Sequence, residues 1–250
     1  MYHHQNSDQL AWEAAKYDLK ANYYKYTNPQ KHIYYYQKHL ECIQRLMDER
    51  QNGMPGMNGE TMVRVLHASP NAQAVDIYVN GQQILQGVSY KQSSEYLRVP
   101  AGQYQIDIYP EGQTKKPILS QMVEVESGNM YTVAAAGTVD NLQLIPVIDS
   151  ESVSPGKAKI RFWHLSPNAP SVDIAIKGGE VLFRNVPFGK ATRYLTLSPT
   201  TADLEVRAAG SNQVVLNVPN ATLNPNQAYT AVAVGFTEQN PQLEAIFIKP

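Results

Sequence analysis

The chain has 250 residues, a length that fits one or two domains. Its 21 basic and 22 acidic residues give a formal net charge of -1, which argues against an electrostatic nucleic-acid binder because such a protein needs a basic face. A single cysteine, Cys42, excludes an intrachain disulfide framework. No apolar run approaches the roughly 18 residues that a membrane-spanning helix needs, so we expect no membrane insertion.

Residues 1–50 are predicted to form a helical hairpin. Ser7 or Asp8 can cap the first helix, and Asn28 can cap the second, with Pro29 as its first residue. Apolar side chains recur at alternating spacings of three and four residues, as in amphipathic helices. The two apolar seams are Leu10, Ala14, Tyr17, Ala21 and Tyr24, and Ile33, Tyr36, Leu40, Ile43 and Met47. His32 and His39 are expected to face solvent.

Half of the 16 tyrosines lie in this hairpin, and two helices alone bury only a narrow core. The hairpin therefore either packs on its own β-domain or forms an assembly interface, and the sequence leaves both readings open. We expect self-association, or an envelope or coat protein partner, through residues 1–50. The residues expected to take part in assembly are Tyr17, Tyr24, Ile33, Tyr36, Leu40, Ile43 and Met47.

The apolar pattern changes to period two after the hairpin. Val75, Ile77 and Val79 alternate with other residues, and Asn80-Gly81 then predicts a two-residue turn between paired strands. Seven or eight short strands with turns between them follow within about 90 residues, and no helical pattern interrupts them. This spacing predicts an immunoglobulin-like antiparallel β-sandwich.

The β-region is duplicated. The segment that begins Arg64-Val-Leu-His-Ala-Ser-Pro-Asn returns 97 residues later as Arg161-Phe-Trp-His-Leu-Ser-Pro-Asn, and the segment from Tyr131 returns at an offset of 98 from Tyr229. The sequence thus predicts a mainly β protein, with two tandem immunoglobulin-like antiparallel β-sandwiches preceded by an α-helical hairpin. The predicted segments are 1–50 (hairpin), 51–60 (flexible linker), 61–149 (first sandwich), 150–157 (linker) and 158–250 (second sandwich).

The repeated motif resembles a known family. His67-Ala-Ser-Pro-Asn-Ala-Gln-Ala-Val-Asp-Ile and its copy from His164 are similar to the opening of the DUF4397 domain, typically H-x-S-P-(D/N)-A-P-x-V-D-(V/I). The resemblance covers roughly residues 61–149 and 158–249. It implies a β-sandwich and a bacterial envelope or surface setting, and it supplies no catalytic residues. Members commonly carry a signal peptide, and none is visible here. We therefore expect synthesis in the cytoplasm and deposition on a spore or envelope layer.

The motif contains His, Ser and Asp, the residue types of a hydrolase triad. Ser-Pro-Asn is a turn sequence, however, and an Asp bonded to the His or to loop N–H groups can fix the loop to the sheet. We predict this structural role, with ligand or metal binding and catalysis as the less favoured alternatives. A lone His–Asp pair offers too few zinc ligands, so no metal and no cofactor are expected. The motif residues are His67, Ser69, Pro70, Asn71, Asp76, His164, Ser166, Pro167, Asn168 and Asp173.

Two function classes follow, and an enzyme is not expected. The first is a structural or adhesive surface or assembly protein. The alternative is a carbohydrate- or peptide-binding module that uses sandwich loops or a patch of aromatic side chains on a sheet face. At strand spacing such side chains are more often core residues than a sugar platform. The aromatic pairs shared by the two copies are Tyr90/Phe188, Tyr96/Tyr194 and Tyr131/Tyr229.

Overall fold

A computed structural model describes residues 4–51 and 60–250, with side chains from residues 9–46 and 60–250. Two helices, α1 (His4–Tyr24) and α2 (Pro29–Gln51), precede the strands. The strands of the first repeat are β1 (Glu60–His67), β2 (Val75–Val79), β3 (Gln82–Val88), β4 (Leu97–Pro100), β5 (Gly102–Pro110), β6 (Leu119–Val125), β7 (Met130–Ala136) and β8 (Gln143–Asp149). Those of the second are β9 (Ala158–His164), β10 (Val172–Ile176), β11 (Val181–Val186), β12 (Leu195–Leu197), β13 (Thr200–Ala208), β14 (Val214–Leu223), β15 (Gln227–Val234) and β16 (Glu244–Ile248).

Each repeat contains two four-stranded sheets, and the strand order is the same in both. The sheets of the first repeat are β4-β1-β7-β8 and β3-β2-β5-β6, and those of the second are β12-β9-β15-β16 and β11-β10-β13-β14. This confirms the predicted pair of β-sandwiches after a helical hairpin. In the second repeat, β15 runs parallel to β9, which differs from the antiparallel expectation.

The turn predicted between β2 and β3 is confirmed. Asn80 and Gly81 have φ values of 49° and 76°, which is the left-handed conformation that a two-residue hairpin turn requires. The flanking residues Val79 and Gln82 are directly paired. The predicted linker at residues 51–60 lies mostly outside the described residues, and α2 extends through Gln51.

The described chain divides into two compact units. The first contains the residues up to Arg64 together with Glu95–Gln103 and Glu124–Tyr131. The second contains Val65–Ser94, Tyr104–Val123 and Thr132–Pro250, and so includes parts of both repeats. Within the first unit, α1 contacts both α2 and β4.

The first helix follows its predicted seam but begins earlier than expected. Leu10, Ala14 and Ala21 are buried, and Tyr17 and Tyr24 are half-buried. The prediction that Ser7 or Asp8 caps this helix is wrong, because α1 already includes His4. At α2, the Oδ1 atom of Asn28 accepts a hydrogen bond from the N–H of Lys31 at 3.1 Å, so the predicted cap is confirmed.

The seam predicted for α2 is wrong by one residue at three of its positions, whereas Ile43 packs against the core between the helices as predicted. Ile33, Tyr36 and Leu40 are exposed, and the side chains on the inner face are His32, Tyr35, His39, Cys42 and Leu46. The two histidines, which were expected to face solvent, explain the shift. The Nδ1 atoms of His32 and His39 donate to the carbonyls of Ala21 and Ala14, both at 2.9 Å. The small alanines of α1 leave room for these rings. Tyr35 also stacks between Tyr17 and Tyr24, with ring centroids 6.3 and 5.7 Å apart.

Candidate functional site

The histidine of the motif is buried at the end of the first strand of each repeat. The Nε2 atom of His67 donates to the carbonyl of Gln73 at 3.0 Å, and its Nδ1 atom accepts from the N–H of Ser69 at 3.3 Å. In the second repeat, His164 makes the same two bonds, at 3.0 and 3.3 Å, to the carbonyl of Pro170 and the N–H of Ser166. Both ring nitrogens are therefore occupied by the main chain of the motif's own loop, with the proton on Nε2.

The aspartate of the motif holds two other turns and does not contact the histidine ring. The two carboxylate oxygens of Asp76 accept from the N–H groups of Gly87 and Gly112, at 2.9 and 3.0 Å. Gly87 has a φ of 63°, which a glycine adopts without strain. The oxygens of Asp173 accept from Asn185 and Gly210, at 2.6 and 3.0 Å. Of the two partners predicted for the aspartate, the structure shows the loop N–H groups.

The electrostatics of Asp173 are consistent with this arrangement. Burial acts to raise the pKa of its carboxyl group. The N–H donors of Asn185 and Gly210, together with the charges of Arg184 and Arg207, outweigh this effect and hold the pKa below its usual value. The carboxylate is therefore ionised at neutral pH and is used to bind backbone.

The rest of the motif fixes the loop that follows the histidine. Pro70-Asn71 and Pro167-Asn168 lie in turns. The Oδ1 atom of Asn71 accepts from the N–H of Val139, and that of Asn168 from the N–H of Thr237, both at 3.0 Å. The hydroxyl of Ser166 donates to the carbonyl of Gly235 at 2.6 Å. The motif thus binds main chain at both ends of its loop.

The geometry does not assemble a triad from these residues. It is the N–H of Ser69, and not its hydroxyl, that bonds to His67, and Asp76 has its two oxygens on glycine N–H groups. A nucleophilic serine needs a hydroxyl–imidazole bond and an acid that orients the imidazole. Across residues 4–51 and 60–250, no group of three or more His, Cys, Asp or Glu side chains is placed to share a metal ion.

The two repeats share one apolar core within the second unit, which the sequence did not reveal. Eight residues with no exposed surface form it, four from each repeat: Leu66, Ala68, Ala134 and Ala136, with Trp163, Leu165, Val232 and Val234. Tyr90 and Phe188 pack at the margin of this core, and their rings lie edge-on to His67 and His164. The motif histidines therefore support the aromatic side chains that line the contact between the repeats.

A buried ion pair joins the repeats beside this core. The guanidinium of Arg161, on β9, contacts the carboxylate of Asp149, at the end of β8, and their side chains are 4% and 0% exposed. The same guanidinium donates to the carbonyl of Ile148 at 2.7 Å and to the hydroxyl of Thr230 at 2.9 Å. Asp149 also accepts from the hydroxyl of Thr132. Both charges thus have several partners, as buried charges require.

The other shared aromatic side chains do not form one sugar-binding platform. Tyr131 and Tyr229 are buried, at 6% and 4% exposed. The Tyr194 ring lies against the charged groups of Lys159 and Arg161, at 4.4 and 4.8 Å. These rings pack in or beside the cores, which is the reading that strand spacing favoured.

The residues predicted for assembly fall into two groups. Tyr17 and Tyr24 lie between the two helices. Ile33, Tyr36 and Leu40, here called the outer stripe, lie about 100° around α2 from its inner-face residues and are 55%, 48% and 47% exposed. Ile43 is half-buried, and the side chain of Met47 lies outside the described residues.

The motif histidines predict a pH dependence of stability. Burial lowers the pKa of both His67 and His164 below the usual value of about 6.5. Above about pH 6.5 the neutral histidines make their full contribution to the free energy of unfolding. This contribution is lost as the pH falls from about 6.5 towards the depressed folded-state pKa, because over that range only the unfolded chain takes up protons. We expect urea unfolding to show declining stability between about pH 7 and pH 5. In the double variant His67→Gln/His164→Gln the free energy of unfolding should depend less steeply on pH, because an amide can donate and accept hydrogen bonds without titrating. An unchanged pH dependence of the free energy of unfolding would exclude these histidines as its cause.

Neither α1 nor α2, over the part that the structure describes, is long and apolar enough to cross a membrane.

Comparison with known proteins identifies a family but no function. The model of a domain of unknown function, DUF4397, matches residues 61–175 and 176–249. The boundary at 175 falls inside β10, whereas the strand order repeats from β9. No curated protein matches the chain.

Three solved structures are weakly similar. The Bacillus anthracis TIE protein is 11% identical with a TM-score of 0.21, and the match covers 71% of this chain but only 34% of that protein. A candidate cell adhesion protein from Bacteroides fragilis is 10% identical, with a TM-score of 0.20 and coverage of 75% and 97%. A fimbrial assembly protein from Parabacteroides distasonis is 8% identical, with a TM-score of 0.23 and coverage of 76% and 95%. Because these TM-scores are low, the similarities support no functional assignment.

The family match spans most of the chain and includes the duplicated motif whose bonds are described above. The chain belongs to the DUF4397 family.

Proposed function

We propose that the protein is a non-enzymatic structural protein that assembles with copies of itself through the outer stripe of its helical hairpin. The observation that carries this proposal is the exposure of Ile33, Tyr36 and Leu40 at helical spacing on α2. A hairpin that buries its apolar side chains between its own helices has a polar outer face. This hairpin has a second set of apolar side chains, which remains exposed. The histidine and aspartate of the motif, whose polar atoms bind the main chain of their own repeat, fit a scaffold role.

Other exposed tyrosines of the hairpin support the same proposal. Tyr23, Tyr26 and Tyr34 are 75%, 87% and 55% exposed. Tyrosine buries a large ring at a low cost in side-chain entropy and keeps a polar hydroxyl, so it is enriched in protein interfaces. The finer proposal is deposition on a spore or envelope layer, where such tyrosines pack or cross-link. An antibody against the chain should label purified layers, and its confinement to the soluble fraction would contradict deposition.

The assembly proposal is tested by changing the outer stripe to polar residues that favour helix. The triple variant Ile33→Gln/Tyr36→Gln/Leu40→Gln should be a monomer of 27.9 kDa by light scattering at concentrations where the native chain is larger. A matched control is Met122→Gln/Ile148→Gln, which replaces two β-strand side chains that are 56% and 50% exposed and should leave the mass unchanged. Circular dichroism verifies that both variants keep their helices. Equal masses for the native chain and the triple variant would contradict the proposal.

A glycan-binding module is the second candidate. Tyr78 and Tyr109 form an edge-to-face pair on neighbouring strands, with centroids 4.9 Å apart, and both are partly exposed. This pair favours stacking on a sugar ring more than the aromatic pairs shared by the repeats do. Specific retention of the full chain on a polysaccharide column would favour this candidate.

A further inference from the structure

The two repeats differ at the place where the edges of their two sheets meet. In the first repeat the edge strands are β6 and β8, and in the second they are β14 and β16. In the first repeat the side chain of Gln121, on β6, joins the two edges. Its amide nitrogen donates to the carbonyl of Leu144 at 3.1 Å, and its amide oxygen accepts from the N–H of Leu144 at 3.0 Å. One carboxamide thus satisfies both main-chain groups of an edge residue on β8.

The second repeat has no amide side chain at the position equivalent to Gln121, although Asn217 and Asn220 lie close by. The offset of 98 that relates Tyr131 to Tyr229 places Pro219 where Gln121 stands, and Pro219 is exposed. A proline side chain neither donates nor accepts hydrogen bonds. Between β14 and β16 there is a cavity of about 450 Å³, within the size range of small ligand sites. Its lining includes Leu216, Val218, Pro219, Glu244, Ala245 and Phe247.

The main chain of Ala245 points into this opening. Ala233, on β15, uses its carbonyl to accept from the N–H of Leu165 at 2.9 Å, so its polar groups face away from β16. Ala233 is directly opposite Ala245 in the antiparallel pair. Opposed residues that do not bond to each other direct their N–H and C=O groups away from the pair. The N–H and C=O of Ala245 therefore lie on the outer edge of the sheet, as those of Leu144 do in the first repeat.

We propose that the groove between β14 and β16 binds an extended peptide segment that presents a glutamine side chain to the main chain of Ala245. The first repeat shows the chemistry of the occupant, because Gln121 makes these two bonds in the equivalent place. The exposed strand edge can also pair with the peptide backbone, while Leu216, Val218 and Phe247 contact its apolar side chains.

The groove selects a neutral amide over a carboxylate. A glutamate has no N–H to donate to the carbonyl of Ala245, and it would lie near the carboxylate of Glu244, which lines the same groove. Glu244 is paired with Lys91 at 2.9 Å, so that lysine is already engaged. This site lies in the second sandwich and does not rest on the assembly proposed for the hairpin.

The test is a titration of the full chain with a blocked five-residue peptide, Thr-Val-Gln-Val-Thr, followed by amide NMR shifts. We expect saturable shifts at Ala245 and Phe247, and binding weakened on the order of ten-fold when the central Gln is replaced by Glu. The variant Pro219→Gln gives the second repeat the residue that bridges the edges of the first. Its side chain should occupy the site at a high effective concentration and weaken peptide binding on the order of ten-fold or more. Pro219→Ala is the matched control and should bind as the native chain does.

Three results would overturn the proposal. They are no saturable shift at Ala245 with the Gln peptide, equal binding of the Gln and Glu peptides, and undiminished binding to Pro219→Gln when this variant keeps the native spectrum elsewhere. Loss of assembly in the outer-stripe variant leaves each of these readouts unchanged, so the two proposals fail separately.

Discussion

Replacing Asp149 with alanine is expected to lower the free energy of unfolding by about 3–5 kcal/mol. The substitution leaves the guanidinium of Arg161 buried without its carboxylate partner, and the hydroxyl of Thr132 loses its acceptor. Removing one member of a buried pair costs this much because the remaining charge stays out of water. Urea unfolding followed by circular dichroism measures the change.

The matched control is a second ion pair between the repeats, which is exposed. Lys91 and Glu244 are 2.9 Å apart, and each side chain is 40% exposed. Glu244→Gln should therefore cost at most about 1 kcal/mol. If Asp149→Ala costs no more than this control, the buried pair does not hold the repeats together in the way the structure indicates.

Trp163→Ala is expected to cost about 3–5 kcal/mol, because it opens a cavity in the core shared by the repeats. Trp163 has no exposed surface and is the largest of the fully buried side chains. Its ring nitrogen also donates to the carbonyl of Gly189 at 3.4 Å. The loss should appear as a lower urea midpoint with the slope of the transition retained.

Trp163→Phe is the control for this prediction. It keeps most of the apolar contact and removes only the long hydrogen bond, so we expect a clearly smaller loss than for alanine. A loss below about 1 kcal/mol for Trp163→Ala would mean that the shared core contributes little and that the repeats behave as separate domains.

The duplication made much of the second repeat predictable. Because the motif recurs, an interaction inferred for Asp76 had to hold for Asp173 as well, and the structure gives both the same type of partner. The turn at Asn80-Gly81 was also predictable from the sequence, since few residue pairs adopt two consecutive left-handed conformations without strain. The immunoglobulin-like description stays a prediction.

The contact between the repeats was not predicted, although the sequence contains a signal for it. All seven residues of β9 are buried, and a strand buried on both faces loses the alternation of apolar and polar residues. The run Phe162-Trp163-His164-Leu165 has this character. Lys159 and Arg161 make this signal hard to recognise, because their charges suggest an exposed face. In the structure the two side chains are buried, where Arg161 pairs with Asp149 and Lys159 donates to the hydroxyl of Ser150.

The error on α2 has a different origin. A hydropathy pattern assigns isoleucine and leucine to the inner face before histidine, and the sequence does not show that His32 and His39 reach the carbonyls of α1. Once these rings are inside, the helical period places Ile33, Tyr36 and Leu40 outside. The residues misassigned to the seam are therefore those that the assembly proposal uses.

The most direct test of that proposal is the solution mass of the intact chain, measured by light scattering across a concentration series. Assembly through the outer stripe predicts a mass that exceeds 27.9 kDa and rises with concentration towards a multiple of it. A mass of 27.9 kDa at every concentration would contradict the account and leave the outer stripe without a role in self-association.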